Sequence, residues 1–176
     1  YLIDDLLVSD PGDEALLVYL KGNVERYIVA SSVTFTHIFF SEKIKEEEGA
    51  YKAAKLLKRQ LDKQPVSFND AASYGEKFPY FLNYIERTED YVAGHFGKKA
   101  AKAIFELEAD SEKWLGPIKS PYGVHLILLT RKTPRRTANL REIRGRVLDD
   151  WQDDERRRLR AEVIEELKKK YAITFD

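Results

Sequence analysis

Trp114-Leu115-Gly116-Pro117-Ile118-Lys119-Ser120-Pro121-Tyr122-Gly123-Val124-His125-Leu126-Ile127 is the stretch whose reading decides the fold. Its first half carries Gly116-Pro117, a dipeptide that marks a turn. Its second half opens residues 122–131, an apolar run of strand length rich in Val, Ile and Leu. Successive side chains of a strand point to opposite faces, so Gly123, His125, Ile127 and Leu129 share one face. An imidazole in the middle of an apolar face needs a polar partner there.

A second stretch has the same construction. Val33 to Phe40 is β-branched and aromatic and reads as a strand. Alternation puts Val33, Phe35, His37 and Phe39 on one face and Thr34, Thr36, Ile38 and Phe40 on the other. Between the two strands the spacing predicts a charged amphipathic helix over 43–62 with Leu56, Leu57 and Leu61, ended by Pro65. Residues 66–88 read mainly as loop, with a short strand over Phe78 to Leu82. Thr88 is placed to cap a short helix from Glu89 to Gly94, and a second helix is expected from Lys98 to Leu107. The class is α+β, an antiparallel sheet surrounded by helices.

Outside this core the pattern is helical. Tyr1 to Val8 reads as the end of a helix, broken at Ser9-Asp10-Pro11-Gly12. Asp10 is expected to cap a second helix with Pro11 at its first position, and Leu16, Leu17, Leu20 and Val24 then follow at helical spacing, in an arm that ends near Tyr27. On the other side, Asn139 with Glu142 forms a capping-box pattern at the start of a long helix running to Lys170. Its apolar stripe is Leu140, Ile143, Val147, Trp151, Leu159, Val163 and Leu167. At about 1.5 Å per residue the rod is roughly 45 Å long. So one-sided a helix has to lay its stripe on something: the N-terminal arm, the core or a second copy in a homodimer. The tail, Tyr171 to Phe175, alternates like a short closing strand. The expected divisions are an N-terminal helical arm over 1–32, the core over 33–132, and the long helix with its terminal strand over 133–176.

Lys and Arg number 30 and so do Asp and Glu, a zero net charge that argues against nucleic acid as a partner. The Arg156-Arg157-Arg158 cluster sits beside Asp153, Asp154 and Glu155, a pattern of ion pairs along one helix. There is no cysteine, which removes disulfides, thiolate nucleophiles and cysteine-ligated zinc. Three scattered histidines give no metal spacing, and no nucleotide-binding loop or nucleophile elbow occurs. The expectation is therefore no metal and no cofactor. No run of 18 apolar residues is present. The chain begins at Tyr1 within an apolar pattern, and we read it as a fragment, with room upstream for a signal or a membrane anchor.

Three segments carry a resemblance to the parvulin-type peptidyl-prolyl cis-trans isomerases. Thr36-His37-Ile38-Phe39-Phe40 resembles the family's first strand. Phe96-Gly97 through Ala103-Ile104-Phe105-Glu106-Leu107 resembles the helix flooring the proline pocket. The stretch from Trp114 to Ile127 resembles the family's Gly-Pro turn leading into Gly-apolar-His-apolar-apolar. The resemblance covers about 100 residues. It implies a site in which His37 and His125 tune the floor, with Asp70 or Glu76 standing in for the family's acidic group. It also implies that Phe96, Ala100, Phe105, Trp114, Ser120 and Tyr122 lie beside the substrate. Two departures stand out: Ala100 occupies a position where parvulins carry an aromatic, and the family's acidic glycine-rich loop is replaced by Phe68 to Phe78. The flanking helices resemble the arms of bacterial foldase-chaperones of the periplasm or cell envelope. The partners so implied are unfolded or partly folded proline-containing polypeptides.

Such chemistry breaks no covalent bond. The obstacle is amide resonance, a barrier of about 18–20 kcal/mol. A catalyst lowers it by holding the proline ring in an apolar cup, excluding water and favouring the twisted state. Aromatic and aliphatic residues around a few neutral polar groups are the expected signature. Each histidine alone reads as an ordinary core residue; the pair on one face carries the functional reading.

Overall fold

Alternation along the two histidine strands governs the architecture. The computed structural model describes residues 7–171. In order, these form α1 (Asp13–Gly22), β1 (Ile28–Val29), β2 (Ser32–Ser41), α2 (Glu42–Leu61), β3 (Asn83–Thr88), α3 (Glu89–Phe96), α4 (Lys98–Glu106), β4 (Trp114–Ser120), β5 (Gly123–Thr133), β6 (Arg136–Thr137) and α5 (Leu140–Lys170). Two 3-10 turns, Val24–Tyr27 and Phe68–Ser73, complete the elements. They divide into two compact units: residues 30–136, and the residues up to 29 together with those from 137 onward.

The first unit is built on a four-stranded antiparallel sheet in the order β3-β2-β5-β4. One face buries Val33, Phe35, Phe39, Ile127 and Leu129 against Val92 and Phe96 of α3 and Ala100, Ala101, Ile104 and Phe105 of α4. The other buries Ile38, Phe40, Val124, Leu126 and Leu128 against Ala50, Ala54 and Leu61 of α2. The register of β2 on β5 shifts once, pairing Thr34 with Arg131 but Phe35 with Leu129. Thr130 is the extra residue of that bulge, and beyond it the alternation keeps both histidines on the α3–α4 face.

Several local expectations are corrected. Gly116-Pro117 lies within β4, at a register shift between Leu115 and Ile118, and not in a turn before a strand. Proline has no N–H for the ladder and suits such an irregularity. Gly116 has φ +117, and a Cβ there would lie 2.8 Å from the His125 carbonyl oxygen. The short strand expected at Phe78 to Leu82 is displaced to Asn83–Thr88. Pro79 cannot donate to a ladder, and as an edge strand with a single buried residue, Tyr84, β3 shows no alternation to read. In α2 the buried line is Ala50, Ala54 and Leu61, while Leu56 is exposed.

The second unit pairs α1 with α5. Leu16, Leu20 and Tyr27 pack on Val147, with Leu140, Ile143, Leu148 and Trp151 around them. Of the three surfaces considered for the long helix, its N-terminal half thus uses the arm. Farther along, Val163, Ile164 and Leu167 are exposed. The capping box at Asn139 and Glu142 is formed in both directions. Asp10, by contrast, does not cap α1. The helix starts at Asp13 behind Gly12, whose φ of +86 breaks the turn, and Asp10 Oδ1 accepts from the Gly12 N–H instead. Asp10 and Asp13 also pair with Arg144 of α5, at 2.9 and 2.6 Å. The readings of residues 1–6 as helix and of 172–175 as a closing strand lie outside the described residues.

Candidate functional site

His37 on β2 and His125 on β5 meet on the α3–α4 face, with their Nδ1 atoms 3.0 Å apart. The strands place them diagonally, since His37 pairs with Ile127 and His125 with Phe39. Four contacts extend the pair into a relay. His37 Nε2 lies 2.9 Å from the Phe81 carbonyl oxygen. His125 Nε2 lies 2.7 Å from Ser120 Oγ, which accepts the Tyr122 N–H at 3.2 Å and lies 3.4 Å from the Gly123 carbonyl oxygen.

The tautomers follow from the ends of this chain. A carbonyl can only accept, so His37 Nε2 carries hydrogen. In the neutral ring its Nδ1 is then bare and accepts from His125 Nδ1–H. His125 Nε2 is bare in turn and accepts from the Ser120 hydroxyl. Both rings are neutral at physiological pH. Burial pushes His37 down to about 4, against a smaller upward pull from the Phe81 carbonyl. His125 is lowered well below 6.5, first by burial and then by the neighbouring His37. A neutral relay offers directed N–H and O–H dipoles rather than charge.

Aromatic rings enclose the pair. Phe78 stands 5.0 Å edge-on from each imidazole, and 5.0, 5.1 and 5.7 Å from the rings of Phe39, Phe96 and Tyr122. Tyr80 and Tyr122 share a hydrogen bond of 2.8 Å between their phenol oxygens. Beside them opens a hollow of about 290 Å³, lined by His37, Phe39, Tyr74, Glu76, Phe78 and Tyr80 among others. His95 joins this aromatic group: it stacks on Tyr80 at 4.3 Å and bonds the Tyr84 hydroxyl at 3.0 Å.

The residues expected at the site separate into two sets. Phe96, Ala100 and Phe105 lie in the same buried cluster as Phe78, with Tyr122 packed against it. Phe96, Ala100 and Ser120 also line a second hollow, of about 750 Å³. Trp114 goes elsewhere. It packs with Ile38 and Leu126 on the α2 face, its indole N–H donating to the Val66 carbonyl at 2.9 Å. Asp70 also lies apart, accepting from Ser67 Oγ at 2.6 Å and lining a different hollow with Leu57 and Gln60. It sits beside Ala71, which is buried on the α2 face.

Glu76 is the carboxylate that borders the histidine hollow. Its N–H bonds the Phe39 carbonyl at 2.7 Å, and its side chain accepts from the Ser41 N–H at 2.9 Å and pairs with Lys45 at 3.0 Å. Gly75 makes this approach feasible: it has φ +73, and a Cβ there would lie 2.5 Å from the Phe39 carbonyl oxygen. Sequence reasoning missed Phe78, Tyr80 and Gly75. The available signal was the density of rings in Phe78-Pro79-Tyr80-Phe81, an aromatic loop with no strand pattern to occupy it.

Residues 11–145 match the PPIC-type PPIase domain, a span wider than the sheet and its helices. No curated protein matches the chain in sequence. Among solved structures it is similar to one of the SurA-like chaperones PEB4 and Cj1289 of Campylobacter jejuni, at 13% identity and a TM-score of 0.48, over 99% of this chain and 66% of that one. It is similar to PrsA of Bacillus subtilis at 17% identity and a TM-score of 0.42, over 98% and 59%. It is similar to the peptidylprolyl isomerase PrsA of Bacillus anthracis at 16% identity and a TM-score of 0.45, over 93% and 70%. The chain thus spans about two thirds of the length of these structures.

Proposed function

This chain belongs to the PPIC-type PPIase family, and on that premise we propose that it isomerises X–Pro bonds in unfolded or partly folded polypeptides as part of a bacterial envelope foldase-chaperone. The observation that carries the reading is the neutral His37–His125–Ser120 relay, buried beneath aromatic rings and opening on a hollow beside Phe39 and Glu76.

The relay suits a reaction that needs no proton transfer to a leaving group. A client carbonyl before proline loses its conjugation as the bond twists, and the nitrogen lone pair becomes an acceptor. A fixed N–H donor and rings that exclude water favour that state over the planar, hydrated amide. The relay fixes the orientation of the His37 Nε2–H through a chain of hydrogen bonds anchored at the Tyr122 amide. Glu76, already paired with Lys45, borders the hollow as a neutralised carboxylate.

A second reading, of a parvulin-like chaperone that binds extended segments without turnover, is favoured by one observation: Phe78 already fills the space over both imidazoles. Isomerisation of X–Pro tetrapeptides, coupled to a protease, separates the two. The isomerase reading expects catalysis that falls by at least tenfold in His37→Ala/His125→Ala. Equal, negligible rates in both proteins, with aggregation of an unfolded client still suppressed, would establish the chaperone reading instead. A periplasmic or envelope location, an anchor in the longer protein, and self-association through the exposed Val163, Ile164 and Leu167 of α5 are further parts of the proposal. Light scattering on Val163→Asp/Leu167→Asp tests the last, which predicts a dimeric mass for wild type alone.

A further inference from the structure

We infer that residues 77–82 are a strap that stands in for a client at the histidine site and has to be displaced before one can bind. This rests on the reading of that site as the client site.

The segment belongs to no helix or strand. Lys77, Pro79, Tyr80 and Phe81 are exposed, and Phe78 alone is buried, at 5% exposure. The segment is held by that ring, by the Phe81 and Leu82 carbonyls, which accept from His37 and from Thr36 Oγ1 at 2.9 and 3.4 Å, and by Tyr80 and Phe81 against neighbouring rings at the surface.

What the ring and its neighbours touch is the site itself. Phe78 lies edge-on to both imidazoles at 5.0 Å, in the space an apolar client ring would need. The Phe81 carbonyl accepts the His37 Nε2–H at 2.9 Å, taking the donor that a client carbonyl would use. The strap therefore supplies both halves of what the site recognises, an apolar ring and a carbonyl.

The third anchor is a latch at the surface. Tyr80 and Tyr122 join hydroxyl to hydroxyl at 2.8 Å in an exposed position, where water can replace either partner. Tyr80 also rests on His95 at 4.3 Å.

One hollow borders the strap, and a second lies beyond Phe96. Phe78 lines the first, with His37, and touches Phe96, which lines the second, with Ala100 and Ser120. Withdrawing the Phe78 ring would open the first hollow over the imidazoles as far as Phe96. A segment outside every helix and strand, with most of its side chains exposed, opens at a fraction of the global unfolding free energy. A site competent only when open binds more weakly in proportion to its open fraction.

The experiment reads imidazole access directly. Wild type, Tyr80→Phe and Phe78→Ala are treated with diethyl pyrocarbonate at pH 7, and modification of His37 and His125 is measured by peptide mass against the exposed amine of Lys168 on α5 as internal reference. Tyr80→Phe keeps every ring and removes only the latch. One net hydrogen bond corresponds to about fivefold in an equilibrium, so labelling of the pair relative to Lys168 should rise about fivefold. Phe78→Ala should raise it more than tenfold. Apparent affinity for a succinyl-Ala-Phe-Pro-Phe anilide should rise in the same order.

Unchanged relative labelling in Tyr80→Phe overturns the strap, and that variant carries the test even if Phe78→Ala does not fold. Labelling that rises while no variant binds the peptide upholds the strap and removes the isomerase reading. The two failures are therefore distinguishable.

Discussion

Lowering the pH from 7 to 5 should destabilise this protein through its histidine pair. His37 titrates near 4 in the folded chain and near 6.5 when unfolded. Between those values the unfolded state binds the proton and the folded state does not. Stability is therefore fully present above about 6.5 and is lost as the pH falls towards 4. A difference of about 2.5 units, at roughly 1.4 kcal/mol per unit, amounts to roughly 3–4 kcal/mol for His37 alone, with about 2 kcal/mol already lost by pH 5. His125 is lowered too, so its contribution has the same sign. The lowered carboxylates, Asp10, Asp154 and Glu155, titrate below their ordinary values of 3.8 and 4.5, beneath most of this window. The assay is urea unfolding, followed by circular dichroism at pH 7, 6 and 5. With a urea slope of about 1–2 kcal/mol per molar, the midpoint should fall by roughly 1–2 M over this range. Imidazole proton shifts of the pair, followed by NMR, should show no inflection between pH 5.5 and 8. A flat urea midpoint, or an inflection near 6.5, would refute the neutral, buried relay.

Other substitutions test the framework around the pair. Gly75→Ala places a Cβ against the Phe39 carbonyl at a positive φ; it should cost at least about 2 kcal/mol in urea unfolding, since left-handed strain alone accounts for about 1. Trp114→Phe leaves the Val66 carbonyl without its indole donor; a loss of about 1–3 kcal/mol is expected, with the labelling of His37 and His125 unchanged because the site is on the other face. Asn139→Ala removes the N-cap of α5; a loss of about 1 kcal/mol in the α1–α5 unit should appear as a lower midpoint of helical circular dichroism.

The sheet was legible because its central strands are buried on both faces and carry their pattern in plain alternation. His37 and His125 could be placed on one surface from period alone. The bulge at Thr130 did not disturb this, because it lies before the histidine of β2 and beyond that of β5. What escaped has a common physical origin. Trp114 is as apolar as Phe96, and only the register of β4 on β5, shifted at Gly116-Pro117, decides which face it takes. Asp70 and Glu76 are six residues apart in one loop, and the choice between them is made by a backbone bridge from Glu76 to Phe39 that no local propensity encodes. Phe78 packs through contacts with β2, β5 and α3, all distant in sequence, so its role is a property of the tertiary structure.

Ala100 and Phe78 bring the departures from the family pattern to one question. The resemblance places an aromatic at position 100, on helix α4, where alanine now stands 2% exposed. The aromatic over the histidines comes instead from Phe78, in the same buried cluster but on an irregular segment. A ring fixed to a helix is a wall, whereas a ring on a strap can leave. If the two positions compete for one space, Ala100→Phe alone should overpack the cluster and destabilise by about 1–3 kcal/mol. Adding Phe78→Ala should then relieve it, so that the double variant is more stable than the sum of the single effects by over 1 kcal/mol. The double variant would also carry its ring on α4 and bind a proline peptide without a strap to displace. Additive effects within about 0.5 kcal/mol would show that the two side chains occupy separate spaces, and that Phe78 does not replace the missing aromatic.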